Sequence, residues 1–224
     1  MKSLIDLGID VLDGCVHDCF GCQVKKSDGR SITVEEVEKL YHFLTKMQQN
    51  PNDKQTFGIL AIGPTDFVMS QNSAEVFDTM VKLMDLFDVI ELSSTMTYKP
   101  EILKEKLLPL KPYLNGRKLA IGIPLHPNNY HNQKFHDLVD RNVDVVLEVF
   151  DESQIYNLAY QVNVVAYLEG KENPVIGIEV SALSGKVKEI LITIPDGRAD
   201  MKDLNNKLAL GTSIKALRKL HNEF

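Results

Sequence analysis

Short apolar runs alternate with amphipathic segments along most of the chain. Continuous runs of Val, Ile and Leu are typical of strands buried on both faces, whereas apolar positions three and four residues apart are typical of helices. The runs predict six strands, at residues 5–12, 57–62, 89–92, 118–123, 143–149 and 162–167. The amphipathic segments predict helices at residues 34–47, after Asn72 and Ser73, from Pro100 to before Pro112, and as short connections at 133–139 and 153–160. This alternation favours a parallel sheet with right-handed crossovers.

The first two predicted helices each carry an apolar stripe. The stripe residues are Val34, Val37, Leu40, Tyr41, Leu44 and Met47 in the first helix, and Val76, Phe77, Met80, Leu83, Met84 and Phe87 in the second. Thr33 and Glu36 have the spacing of a capping box, which predicts that the first helix begins at this point. We interpret both stripes as core packing, because methionines and aromatic residues at helical spacing fill cores.

Six strand–helix units predict an α/β fold, a partial (β/α)6 TIM-like barrel. The tail departs from this rhythm: residues 175–180 and 187–194 flank a turn-like segment and predict an antiparallel β-hairpin. Two further helices are predicted at 201–209 and 213–220. No linker or repeat separates the parts, so we expect a barrel core at 1–170, with the hairpin and helices of 171–224 packed on the same domain.

Composition and charge narrow the function classes. Of the 224 residues, 44% are hydrophobic and 25% charged, and the formal net charge is −6. Such a charge gives no general attraction to nucleic acid or anionic lipid, because that attraction needs clustered Lys and Arg. No apolar run approaches the roughly 20 residues that cross a bilayer, and the first residues do not resemble a signal peptide. We therefore expect a cytoplasmic protein without a membrane partner, and a nucleic-acid partner is disfavoured but not excluded.

The cysteines form the most specific motif in the chain. Cys15, Cys19 and Cys22 follow the first predicted strand as C-x3-C-x2-C and are the only cysteines. Three soft thiolates on a short loop can ligate three irons of a [4Fe-4S] cluster and leave the fourth iron open. An odd number of close thiols also fits a reducing compartment. A structural zinc site that uses His17 as its fourth ligand is the alternative.

In parallel α/β sheets, sites form where the strands end, so the loops that follow strands are the next candidates. The second strand is followed by Gly63-Pro64-Thr65-Asp66, in which the glycine permits close backbone approach and Asp66 offers a carboxylate. The third strand is followed by Ser93 and Ser94, whose hydroxyls can bind a polar ligand. These loops are predicted to lie beside the cysteine loop.

These residues resemble the radical S-adenosylmethionine (radical SAM) enzymes, whose C-x3-C-x2-C loop follows the first strand of a partial (β/α)6 barrel. The resemblance covers about residues 5 to 170. It implies a [4Fe-4S] cluster whose open iron chelates S-adenosylmethionine, as cofactor or cosubstrate. It also implies reductive cleavage of that compound to a 5'-deoxyadenosyl radical, which abstracts hydrogen from a substrate. An electron donor such as a flavodoxin or ferredoxin is implied as a partner.

The resemblance also implies roles for individual residues. Cys15, Cys19 and Cys22 match the cluster ligands. The residues that match cofactor contacts are Phe20 and Gly21 near adenine, Gly63, Pro64, Thr65 and Asp66 near the methionyl amino group, and Ser93 and Ser94 near the ribose and carboxylate. The family usually has an aromatic residue directly before the last cysteine, whereas this chain has Gly21 there and Phe20 one step earlier.

Several polar residues have two interpretations. His126, after the fourth strand, either contacts cofactor or substrate or is a loop histidine bonded to backbone. Glu148, in the fifth predicted strand, either points into the barrel or pairs with a lysine of a helix. Lys25, Lys26 and Arg30 form either a solvated face or a contact for a carboxylate, a phosphate or an acidic electron donor.

The substrate is the least determined part of the prediction. The short tail favours a large substrate, such as a protein or peptide segment, and a small metabolite is the other possibility. The functional alternative is a non-catalytic protein, either an iron–sulfur electron carrier or a structural zinc-binding module.

Overall fold

The computed structural model describes residues 3–11, 31–49, 55–63, 66–125, 129, 132–163, 186–187 and 189–193. Its strands are β1 (Ser3–Asp10), β2 (Gln55–Gly63), β3 (Val89–Ser93), β4 (Lys118–Pro124), β5 (Ile155–Asn163) and β6 (Glu189–Thr193). They form one six-stranded sheet in which every neighbouring pair is parallel. The strands lie side by side in chain order, so the order of the sheet contains no reversal.

The helices within these ranges connect consecutive strands. They are α1 (Val34–Gln49), α2 (Ser73–Met84), α3 (Pro100–Leu107), α4 (Lys111–Leu114) and α5 (Gln133–Val149). Among the described residues, 3-10 turns at Phe67–Met69, Leu108–Leu110 and Glu152–Gln154 accompany them. The predicted alternation of strand and helix is therefore confirmed for the first four strands and the first three helices. In the described part of the chain, no helix is both long enough and apolar enough to span a membrane.

The predicted capping box at the start of α1 is confirmed. The Thr33 N–H donates to Glu36 Oε2 over 2.9 Å, and the Glu36 N–H donates to Thr33 Oγ1 over 3.3 Å. These two bonds satisfy donors that the first turn of a helix leaves without intrahelical partners. Local sequence therefore determines where α1 begins.

The two faces of the sheet carry different residues, because side chains alternate along each strand. One face, which we call the helix face, carries large apolar side chains that share one core with the helices. Its residues include Leu60, Ile62, Ile90, Leu92, Leu119, Ile121, Ile123 and Tyr160. The opposite face, which we call the small-residue face, carries Gly8, Ala61, Ala120, Gly122 and Ala159 together with Ile59, Val89, Asp6, Glu91, Ser93 and Gln161.

The order of the strands explains this asymmetry. Crossovers between parallel strands are right-handed, and in a sheet without reversal they all fall on the same side. In accordance with this rule, apolar residues of α1, α2, α3 and α5 all join the core on the helix face. A chain in which the strand order reversed would instead carry helices on both faces.

The predicted fifth strand at 143–149 is wrong, because these residues form the second half of α5. The buried positions Phe135, Val139, Val143 and Val146 recur at helical spacing, while Asp144 and Glu148 are exposed. This helical period overrides the strand preference of β-branched residues, which depends on context. The short helix predicted at 133–139 is therefore the start of a longer one.

The helix predicted at 153–160 is also wrong, since β5 begins at Ile155 and lies beside β4. The predicted sixth strand at 162–167 overlaps only the end of β5, and residues 164–167 lie outside the described residues. Glu189–Thr193, from the second arm of the predicted hairpin, pairs in parallel with β5. The other arm and the two tail helices lie outside the described residues.

Candidate functional site

The first three strands end side by side, and their ends define the candidate site. Asp10, at the end of β1, pairs with Gly63, at the end of β2. Ile62 pairs with Leu92, so Gly63 lies beside Ser93 at the end of β3. Ser93 pairs in turn with Gly122 of β4. Of the predicted contacts, Gly63, Ser93 and Ser94 are thus brought to one edge of the sheet.

The cysteine-bearing segment leaves this same edge and returns to it. The Ile32 N–H donates to the Val11 carbonyl over 2.9 Å, which joins the two ends of the segment 12–31. Cys15 lies five residues after Asp10. Cys15, Cys19, Cys22, Phe20 and Gly21 themselves lie outside the described residues.

Asp66 ties the loop after β2 to the loop after β3. Its side chain is 6% exposed. Asp66 Oδ2 accepts hydrogen bonds from the Thr95 N–H at 2.9 Å, from Thr95 Oγ1 at 3.0 Å and from the Tyr98 hydroxyl at 3.1 Å. Three donors on one carboxylate oxygen join the loop after β2 to the loop after β3. We therefore interpret Asp66 as a support for the site, and its contact with a cofactor stays a prediction.

The loop after β3 is also held from the other side, by α5. Asn142, which is 0% exposed, donates from Nδ2 to the carbonyls of Met96 at 2.7 Å and Tyr98 at 2.9 Å. Met96 is buried with φ of +53°, in the left-handed region that residues other than glycine rarely adopt. Such a conformation persists where surrounding contacts determine it, and it is common at functional sites.

The two predicted serines differ in their surroundings. Ser94 is buried, its N–H donates to the Gly122 carbonyl at 3.0 Å, and its Oγ accepts from the Met96 N–H at 3.3 Å. Ser93 is only half-buried and belongs to the small-residue face. We therefore consider Ser93 the better candidate for a ligand contact, while Ser94 shapes the loop.

A carboxylate and an amide meet on the small-residue face below this edge. Gln161 Nε2 donates to Glu91 Oε1 over 2.9 Å, across the position of Gly122. Partial burial raises the pKa of Glu91, and the nearby Asp6 carboxylate raises it further, against the lowering effect of the Gln161 hydrogen bond. The net shift is upward because desolvation of the charged form is the largest cause.

Other predicted residues fall elsewhere. Glu148 is an exposed residue of α5 whose carboxylate pairs with Lys104 of α3. It therefore does not point into a barrel, and the alternative of an ion pair with a helix lysine is confirmed. Pro64, Thr65 and His126 lie outside the described residues. Within the described ranges, no three His, Cys, Asp or Glu side chains are grouped so that they could hold a metal.

Sequence reasoning missed the Glu91–Gln161 pair and Asn142. A signal for Glu91 was present, because a carboxylate inside an apolar strand needs a partner, as we had argued for Glu148. No signal existed for Gln161, because its strand was predicted as a helix up to residue 160. Asn142 contacts residues 44 and 46 positions away, which no local pattern reveals.

Comparisons with known proteins identify no relative of this chain. No protein-family model matches the chain. No curated protein matches it either.

Proposed function

We propose that this protein is a radical SAM enzyme with a single [4Fe-4S] cluster on Cys15, Cys19 and Cys22. Three thiolates with no fourth cysteine in the chain are the donor set for a cubane that keeps one iron open. The main support is position: the cysteine segment leaves the end of β1 beside Gly63 and Ser93. The bond from Ile32 to Val11 joins its two ends, so the segment that carries the three cysteines begins and ends at that edge.

The partial barrel is part of this proposal. Six parallel strands in chain order, with helices on one face, are the arrangement from which a curved sheet encloses its other face. The small residues of that face leave room for a ligand above the sheet. The ends of β1, β2 and β3 would then border the mouth of the enclosed space.

When bound and reduced, such a cluster supplies the electron that cleaves S-adenosylmethionine, and the resulting radical abstracts hydrogen from a substrate. The chain itself contributes binding and orientation. Gly63 allows a ligand to approach the backbone at the end of β2, and Ser93 offers a hydroxyl beside it. Asp66 and Asn142 hold the loop that follows Ser93, so that these contacts are in place before the ligand arrives.

Partners follow from the same proposal. A reduced flavodoxin or ferredoxin supplies electrons, and Lys25, Lys26 and Arg30 are candidates for contact with such an acidic donor. The substrate is a protein or peptide segment or a small metabolite. The alternative remains a protein in which zinc, bound by the three cysteines and His17, only stabilises the loop.

The test is anaerobic reconstitution with iron and sulfide, followed by reduction in the presence of S-adenosylmethionine. We expect about four irons per chain and release of 5'-deoxyadenosine and methionine. Cys19→Ala should abolish this cleavage, because it removes a cluster ligand. His17→Ala is the matched control: it should retain the cluster and the cleavage, whereas a zinc site would lose a ligand. A colourless protein with one zinc and no cleavage would reject the proposal.

A further inference from the structure

Among the described residues, small residues of β1 and β2 border the Glu91–Gln161 pair on the small-residue face. Gly8 pairs with Ala61 and Ala61 with Glu91, so these three residues form one row across β1, β2 and β3. A Cβ added at Gly8 would meet no atom within 4 Å among the described residues. Among the described residues, the row carries no side chain larger than alanine between Gly8 and Glu91, and it leaves space on the β1 and β2 side of the Glu91 carboxylate.

Gly122 leaves the space through which the Gln161 side chain reaches Glu91. A Cβ at this position would lie 2.1 Å from Gln161 Nε2, far inside contact distance. The absence of a side chain at Gly122 lets Gln161 cross β4 and reach Glu91 on β3. Because the Glu91 carboxylate accepts this bond, the amide nitrogen must face it and the amide oxygen Oε1 must point elsewhere.

The pair retains unused acceptors. Among the described residues, the Gln161 amide is the one hydrogen-bond donor to the Glu91 side chain, and no lysine or arginine pairs with Glu91 or with the nearby Asp6. Asp6 Oδ1 accepts the Ile59 N–H at 2.8 Å, at a bulge where β1 and β2 change register. A half-buried carboxylate next to a second carboxylate is stabilised by a cation.

We propose that Glu91 and Gln161 bind a protonated amine or guanidine group of the ligand that occupies the small-residue face. The donor group lies between Glu91 Oε2 and Gln161 Oε1, and its positive charge offsets the repulsion between Glu91 and Asp6. That this ligand is the substrate rests on the proposed function. The binding step itself needs no cluster and stands without it.

Three probes of equal chain length separate charge from shape: n-butylammonium, n-butanol and n-butyrate. Each is titrated into the full-length protein while the side-chain amide signal of Gln161 is followed by 15N NMR and assigned by its loss in Gln161→Met. We expect a saturable shift with n-butylammonium and none with n-butyrate. Glu91→Gln should weaken binding about tenfold or more, as loss of a hydrogen bond to a charged group does.

Two alanine variants of glycines on the same face form a matched pair. Gly122→Ala displaces the Gln161 side chain and should abolish the shift, whereas Gly8→Ala, in open space, should leave Gln161 bonded to Glu91. Equal binding of n-butyrate, unchanged affinity in Glu91→Gln, or no saturable shift at all would overturn the assignment. Cleavage of S-adenosylmethionine without ammonium binding would reject this inference alone. Ammonium binding without cleavage would reject the proposed function alone.

Discussion

The two faces of the sheet differ in what their residues do for the protein. Ile90 and Leu92 of β3 are fully buried under the helices, while Glu91 and Ser93 of the same strand are half-buried on the other face. Burying a large aliphatic side chain contributes about 1.5–3 kcal/mol to folding. Partly burying a carboxylate works against folding unless it gains partners. Alternation along a single strand thus separates residues that stabilise the fold from residues available for ligand binding.

The largest loss of stability should come from truncating a buried side chain on the helix face. Ile90→Ala should lower the free energy of unfolding by about 2–5 kcal/mol, because it removes buried methyl groups and leaves a cavity. Ser93→Ala, three residues along the strand and on the other face, should change it by about 0.5 kcal/mol or less. Urea denaturation of both variants measures the difference. Equal losses would mean that the two faces do not divide these roles.

An intermediate loss of stability is expected at the loop after β3, which α5 holds from the helix side. Asn142→Ala removes both hydrogen bonds to the loop and should lower the free energy of unfolding by about 1–3 kcal/mol. Amide hydrogen exchange of residues 94–98 should rise, because Met96 then loses a contact that maintains its left-handed conformation. Asn115→Ala, at an exposed turn position, is the control and should change neither quantity. Unchanged exchange at the loop in Asn142→Ala would show that Asp66 alone holds it.

The helix face was largely predictable from the sequence, whereas the small-residue face was not. Val76, Phe77, Met80, Leu83 and Met84 were predicted as core from their spacing, and all are buried, whereas Val34 of the first predicted stripe is 60% exposed. This succeeds because hydrophobic burial is non-directional and follows the helical period.

The errors arose where two signals competed or where a partner was distant. The valines of 143–149 favour a strand individually, yet they lie on a helix because their spacing fits one. Tyr160 was predicted to end a helix, but it belongs to strand β5. Its partner is distant in sequence, since its hydroxyl lies 3.0 Å from Nδ1 of buried His136. Glu91 and Gln161 are 70 residues apart, so only the register of β3, β4 and β5 brings them together.

The smallest expected change in the free energy of unfolding comes from Glu91 on the small-residue face. It is a gain in stability, whereas the two changes above are losses. Because burial raises the pKa of Glu91, ionisation of this group destabilises the folded state. Below about pH 4 the carboxyl group is mostly protonated in both states, so Glu91→Gln should change the stability little there. As the pH rises through the raised pKa, the wild-type protein loses this contribution while the glutamine variant does not. At pH 7 the variant should therefore be more stable, by no more than about 1 kcal/mol once solvent screening is allowed for.

Urea denaturation of both proteins at pH 4 and pH 7 measures the gain, which includes the repulsion between Glu91 and Asp6 that the glutamine variant loses. Glu148→Gln is the control on the helix side, since its exposed carboxylate pairs with Lys104 and its loss should not stabilise the protein at either pH. A gain of equal size at both pH values would mean that ionisation of Glu91 is not its cause. A gain confined to pH 7 would mean that the protein keeps, on the small-residue face, a carboxylate that its stability does not favour. Such a residue fits the ligand contact proposed above, because a substitution that improves folding at a functional site commonly lowers function.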